Sequence, residues 1–175
     1  RPDRAKPLFA KAVEQAVKDE AIRDAVTFAI EGELFDRAVE LANEAEAHAV
    51  RLLAAVAYIG LKRYDDAVNT YVRENEDAKA VQTAIDGQMY DRALTICKKS
   101  YKPDVQQMEA EVWRKKGDLQ KAMNLYLEYG KNDKAEEIAK ELGIGGPAAP
   151  AAADIADETV ASSPRADDIM IPEYK

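Results

Sequence analysis

One motif recurs along this chain at nearly fixed intervals, and it restricts the fold more than any other property of the sequence. Four segments carry it: Gly32-Glu-Leu-Phe-Asp-Arg-Ala38, Gly60-Leu-Lys-Arg-Tyr-Asp-Asp-Ala67, Gly87-Gln-Met-Tyr-Asp-Arg-Ala93 and Gly117-Asp-Leu-Gln-Lys-Ala122. Each glycine is followed by an apolar residue (Phe35, Tyr64, Tyr90 or Leu119) and, three positions later, by an alanine. Four positions further on stands Ala42, Tyr71, Cys97 or Tyr126. The alanines Ala38, Ala67, Ala93 and Ala122 thus follow one another at about 26–29 residues, a spacing typical of stacked repeats.

Apolar residues at i, i+3, i+4, i+7 and i+8 form one stripe on a helix. Tyr64, Ala67, Val68, Tyr71 and Val72 satisfy that pattern, as do Leu119, Ala122, Met123, Tyr126 and Leu127. The central alanine lets a neighbouring helix approach closely. Each glycine is expected to take the left-handed conformation just past a helix end, closing one helix before the next begins. The intervening segments 21–31, 47–59, 77–86 and 104–116 read as helices too, the last opening at a cap formed by Pro103-Asp104. A helix recurs about every 13–14 residues between positions 7 and 142. The expected fold is therefore all-α: an α-solenoid of about ten short antiparallel helices arranged as αα-hairpins over residues 1–144. Phe35, Ala38, Tyr64, Ala67, Tyr71, Tyr90, Ala93, Leu119, Ala122 and Tyr126 are its expected repeat core.

Gly117-Asp-Leu-Gln-Lys-Ala122 followed by Tyr126 resembles the tetratricopeptide signature, which spans the end of one helix and the start of the next. Gly60, Tyr64, Ala67 and Tyr71 match it with one inserted residue. The hairpins are shorter than the roughly 34 residues of a regular repeat, and the helix-closing proline is missing. Short, degenerate hairpins with phrases such as Ala122-Met-Asn-Leu-Tyr-Leu-Glu-Tyr-Gly130 and Tyr90-Asp-Arg-Ala-Leu-Thr-Ile-Cys97 resemble the helical regions of large intraflagellar transport subunits. The likeness to clathrin and coatomer chains is more distant. Over residues 7–142 this resemblance implies a non-enzymatic scaffold in a multisubunit trafficking assembly, in the cytoplasm and the cilium or flagellum. The alternative is a peptide-binding adaptor of the chaperone-linked tetratricopeptide type. Such adaptors clamp a carboxylate with Lys and Asn on the first helix of each hairpin, whereas Asn43, Asn69 and Asn124 fall on second helices.

A search for chemistry finds none of the usual constellations. The only histidine, His48, has no second His or Cys with which to build a zinc site, and it reads as a solvated side chain. Cys97 occupies a repeat-core position and reads as a small apolar residue; as the only cysteine it forms no internal disulfide, which fits a reducing compartment. Pairs such as Asp65-Asp66 and Glu136-Glu137 read as solvated faces, and no glycine loop is built to cradle phosphate. The expectation is no catalytic residue, no metal and no cofactor. The formal net charge of −8 opposes nucleic-acid binding. Lys98-Lys99 with Lys102, and Arg114-Lys115-Lys116, sit where helix C-termini are expected and where the dipole favours cations. No apolar run approaches the roughly 20 residues that span a bilayer.

Composition changes after Gly143. Residues 1–144 carry 23 basic and 27 acidic groups and residues 145–175 carry 2 and 6, so the acidity is concentrated in the shorter part. Residues 145–175 are an Ala/Pro/Asp-rich segment with little to bury, expected to be a disordered linker or tail. Ile169, Met170 and Ile171, behind Asp167-Asp168, are the exception: they read either as a short partner-binding motif or as the edge of the next segment. The chain starts at Arg1 rather than Met and is expected to be a segment of something larger.

Overall fold

A computed structural model describes residues 5–144, and among these every regular element is a helix. In chain order they are α1 (Lys6–Lys18), α2 (Ile22–Glu31), α3 (Phe35–Asn43), α4 (His48–Gly60), α5 (Tyr64–Arg73), α6 (Asp77–Asp86), α7 (Tyr90–Lys99), α8 (Pro103–Lys116), α9 (Leu119–Glu128) and α10 (Asn132–Glu141). Each packs on the next, so the helices stack as five antiparallel hairpins in an α-solenoid. This stack lies within the expected domain, residues 1–144, while the segment 145–175, with Ile169, Met170 and Ile171, lies outside the described residues.

The repeating unit is larger than one hairpin. Helices α3, α4, α5 and α6 begin at Phe35, His48, Tyr64 and Asp77, and α7, α8, α9 and α10 begin at Tyr90, Pro103, Leu119 and Asn132, the same distance further along the chain in every case. The register needs no gap: Val50 falls on Val105, Tyr58 on Trp113, Tyr71 on Tyr126 and Ala84 on Ala139. It extends backwards as well, since Phe9, Val13, Ala25, Val26 and Ala29 fall on Tyr64, Val68, Ala80, Val81 and Ala84. The stack is therefore two full copies of a double hairpin preceded by half of another. The uneven alanine spacing reflects two kinds of inter-helix loop. Helices α3 and α7 run out through an extended connection, with Ala47 and Ser100 at ψ 121° and 139°, whereas the other eight helices close on a left-handed residue.

Those left-handed residues correct the expectation for the glycines. Among the described glycines, only Gly117, Gly130 and Gly143 have positive φ (96°, 68° and 70°). At the other ends the left-handed position is held by Glu20, Glu33, Lys62, Asn75 and Gln88. Each end is sealed by a bond reaching back five residues, as from Met89 N–H to Ala84 C=O at 2.7 Å and from Lys131 N–H to Tyr126 C=O at 2.7 Å. Gly32, Gly60 and Gly87 serve a different need. A Cβ on them would lie 2.5 Å from Phe9 Cβ, 2.5 Å from the Phe35 ring and 2.7 Å from Tyr64 Cβ, respectively. These glycines stand where the aromatic residue of the antiparallel partner helix crosses over, so absence of a side chain is the requirement. Pro103 is likewise the first residue of α8, with Lys102 as its cap, one position earlier than Pro103-Asp104 implied.

Ala38, Ala67, Ala93 and Ala122 are fully buried, Tyr71 and Tyr126 are buried, and Phe35, Tyr64, Tyr90 and Leu119 are half-buried at helix starts. Even-numbered helices also touch one another, but only in alternate places: α2 meets α4 and α6 meets α8, with no comparable contact between α4 and α6 or α8 and α10. Side-chain size accounts for this. The odd helix behind each close pair carries a small residue, Ala42 on α3 and Cys97 on α7, both fully buried. Behind each open pair it carries Tyr71 or Tyr126. Tyr126 reaches between α8 and α10, its hydroxyl donating to Glu111 at 2.7 Å while Lys134 lies over its ring at 5.3 Å.

Candidate protein-interaction site

Cys97 is buried, and burial pushes its thiol up to about 12. A thiol so rarely ionised is a packing residue rather than a nucleophile. No group of three or more His, Cys, Asp or Glu among the described residues could hold a metal ion. No helix among them is long and apolar enough to cross a membrane.

The most strongly organised polar cluster joins the second and third hairpins. Glu74, at the end of α5, has a carboxylate only 5 % exposed. Arg51 on α4 donates to both of its oxygens at 2.9 Å, Arg73 donates at 3.2 Å, and His48 Nδ1 lies 2.8 Å from Oε2. The Arg51 guanidinium, aided by His48 and Arg73, holds the Glu74 carboxyl down at about 2 despite its burial. Arg51 also donates to the Glu46 carbonyl and so pins the α3–α4 connection. His48 is thus more than a solvated residue, although its ring remains half exposed. In the second copy Tyr129 replaces Glu74 and Gln106 replaces Arg51; Tyr129 Oη lies 3.5 Å from the Gln106 carbonyl. The same joint is charged once and neutral once, and in the charged copy it ties α4 to the end of α5.

The outward faces of α4 and α8 occupy equivalent positions but differ in chemistry. On α8 the solvent side bears Asp104, Gln107, Met108, Glu111 and Lys115; on α4 the same places hold Ala49, Leu52, Leu53, Val56 and Gly60. Val56 is 41 % exposed and Ala49 is exposed, with Leu52 and Leu53 half-buried beside them. Leu52 and Leu53 also pack against the core and Gly60 makes room for Phe35, so the part of this uncharged stripe that is open to solvent centres on Ala49 and Val56. The sequence signal was present in the apolar run Leu52–Ile59, which reads as helix without showing which side stays open.

Between α8 and α10 the Tyr126 wedge leaves a groove of about 480 Å³, with Tyr126 and Met108 at its base. Asp104, Gln107 and Glu111 line the α8 wall, and Lys131 and Lys134 line the α10 wall. The two basic clusters do not merge. Arg114 pairs with Glu137 and Glu141, Lys116 with Asp91 at 2.6 Å and Lys102 with Asp77 at 3.6 Å. Lys98 and Lys99 end α7 beside Tyr101, which is almost wholly exposed. Asn43, Asn69 and Asn124 stand on α3, α5 and α9, the first helix of their hairpins and not the second as expected, but each has a partner within the stack: Asn43 donates to Tyr58, Asn69 accepts from Arg92, and Asn124 accepts from Gln120. The first hairpin carries the repeat core as Phe9, Ala12, Val13 and Ala16, a copy that escapes notice because no glycine precedes it.

No protein-family model matches the chain, and no solved structure matches it. Intraflagellar transport protein osm-1 of Caenorhabditis elegans is similar, with 30% identity over 146 residues. That alignment covers 73% of this chain and 8% of osm-1, so the chain spans a small fraction of the length of this relative.

Proposed function

We propose that this chain is a non-enzymatic scaffold that binds other proteins within a multisubunit assembly, and that the assembly is intraflagellar transport or a related trafficking complex. The observation that carries the scaffold reading is the uncharged outward stripe of α4 formed by Ala49, Leu52, Leu53 and Val56, set on a stack whose other equivalent face is polar. Burying an aliphatic side chain of this kind in a partner interface is worth roughly 1.5–3 kcal/mol, and the rigid repeat behind it limits the entropy lost on binding. The similarity to osm-1 supports the transport setting, and with it a place in the cytoplasm and the cilium or flagellum. No nucleic acid and no inserted membrane segment enters this reading.

The test uses the full chain with Ala49→Glu and Val56→Glu, both at exposed positions. Affinity capture from ciliated cells, read by mass spectrometry, should recover transport-complex subunits with the unaltered chain and lose them with the double variant. Circular dichroism should show the same helix content in both. Equal recovery from both chains would remove the α4 face from the proposal. Exclusion of the tagged chain from cilia would remove the transport setting.

A further inference from the structure

Going beyond the α4 face, we infer that the groove between α8 and α10 is a docking site for an acidic-then-apolar peptide, and that its occupant is residues 167–171 of this same chain. The groove is divided by charge. Lys131 and Lys134 stand on the α10 wall, and neither has a carboxylate within ion-pair distance among the described residues. Helix α10 begins at that wall with Asp133 in its first turn, and its cap residue Lys131 supplies no side-chain acceptor to the first N–H groups. Half-buried Met108 offers apolar surface there, and beside it Tyr126, only 2 % exposed, lies beneath Lys134. The opposite wall carries Asp104 and Glu111, with Glu111 accepting from Tyr126, so an acidic ligand is directed to the α10 side.

Asp167-Asp168-Ile169-Met170-Ile171 has the matching order: two carboxylates, then three large apolar residues. The connection, segment 145–166, is long enough, since a coil of that length reaches about 25 Å. From Ile144 back to the start of α10 is about 15 Å, the length of a helix of that size at about 1.5 Å per residue. In this pairing the two aspartates would draw Lys131 and Lys134, and the Ile-Met-Ile side chains would lie against Met108 and the Tyr126 ring that Lys134 otherwise covers. A partner that uses this groove must displace the chain's own segment.

Hydrogen exchange on the full chain tests this, comparing amides of 169–171 with those of 155–160. Docking slows the first group about tenfold beyond its intrinsic rate and leaves the second unprotected. Lys131→Glu with Lys134→Glu abolishes the protection with helix content unchanged, and adding Asp167→Lys with Asp168→Lys restores it. Zero-length carboxyl–amine cross-links then join Lys131 or Lys134 to Asp167 or Asp168, and in mixed light and heavy isotope-labelled chains they stay within one copy. Equal exchange in both stretches of the unaltered chain overturns the inference. So does protection that survives the lysine reversals, and so do cross-links formed only between copies.

Discussion

Replacing Gly87 with alanine puts a Cβ 2.7 Å from Tyr64 Cβ and 2.9 Å from its Cγ. Both are atoms close to the α5 backbone and cannot swing aside, so the hairpin must open. Overpacking of this kind costs roughly 1–3 kcal/mol, and reduced freedom of the unfolded chain returns roughly 0.4–1 kcal/mol. The net loss should be about 1–2 kcal/mol, a fall of about 2–6 °C in Tm for a domain of this size. One residue on, the sign reverses. Gln88 has φ 57°, a conformation that costs a residue with Cβ roughly 1–2 kcal/mol. Gln88→Gly should relieve most of this, offset in part by glycine's looser unfolded chain, for a net gain of about 0.5–1 kcal/mol. Gly117→Ala isolates the conformational effect, because its Cβ would meet nothing within 4 Å while φ is 96°; it should lose about 1 kcal/mol. Urea unfolding followed by far-ultraviolet circular dichroism measures all three. If Gly87→Ala is neutral, or Gln88→Gly destabilises, the distinction between glycines kept for space and positions that need positive φ is wrong.

The other expectations concern the core and the charged joint. Because Glu74 is held at about 2 against an ordinary 4.5, its contribution is fully present above pH 4.5 and is lost as pH falls towards 2. Melting curves across that range should show Glu74→Gln less stable than the unaltered chain at pH 6 and converging with it near pH 2; a constant difference would refute this. Cys97→Tyr should force apart the close α6–α8 pair and cost roughly 3 kcal/mol or more, while Tyr71→Ala should leave a cavity costing roughly 3–5 kcal/mol; chemical denaturation reads both. Cys97 should resist a thiol reagent at pH 8 in the folded chain and react at once in urea, and rapid native labelling would contradict its burial.

The helical class and the ordering of about ten helices could be read from the sequence because apolar spacing at i, i+3, i+4 and i+7 is a local property. The aromatic and alanine positions carried the true alignment, since each left-handed residue, Glu33, Lys62, Gln88 or Gly117, stands two places before Phe35, Tyr64, Tyr90 or Leu119. The glycines carried a false one. Gly60 lies within α4 and falls opposite Lys115 in the double-hairpin register, so equating it with Gly117 mistook a packing requirement for a turn. Glycine answers both needs, and a one-dimensional pattern does not separate them. The Glu74 joint was also hidden: its partners stand 23 and 26 residues away, and only the stacking brings Arg51 and His48 to the carboxylate. The open stripe of α4 depends on which neighbours a helix meets, which its own periodicity does not state.

The alternation of small and large residues on the odd helices has a mechanical consequence. Where Ala42 and Cys97 let even helices meet, two layers of packing resist bending; where Tyr71 and Tyr126 hold them apart, one layer does. Stiffness along the rod is therefore periodic, with a compliant seam once in every double hairpin. Load applied along such a rod concentrates its flexing at these seams, each opening or closing its groove as the rod bends. A ligand lodged beside Tyr126 would act as a strut at one seam, and occupancy of the groove would be sensed as curvature by whatever is bound further along the stack.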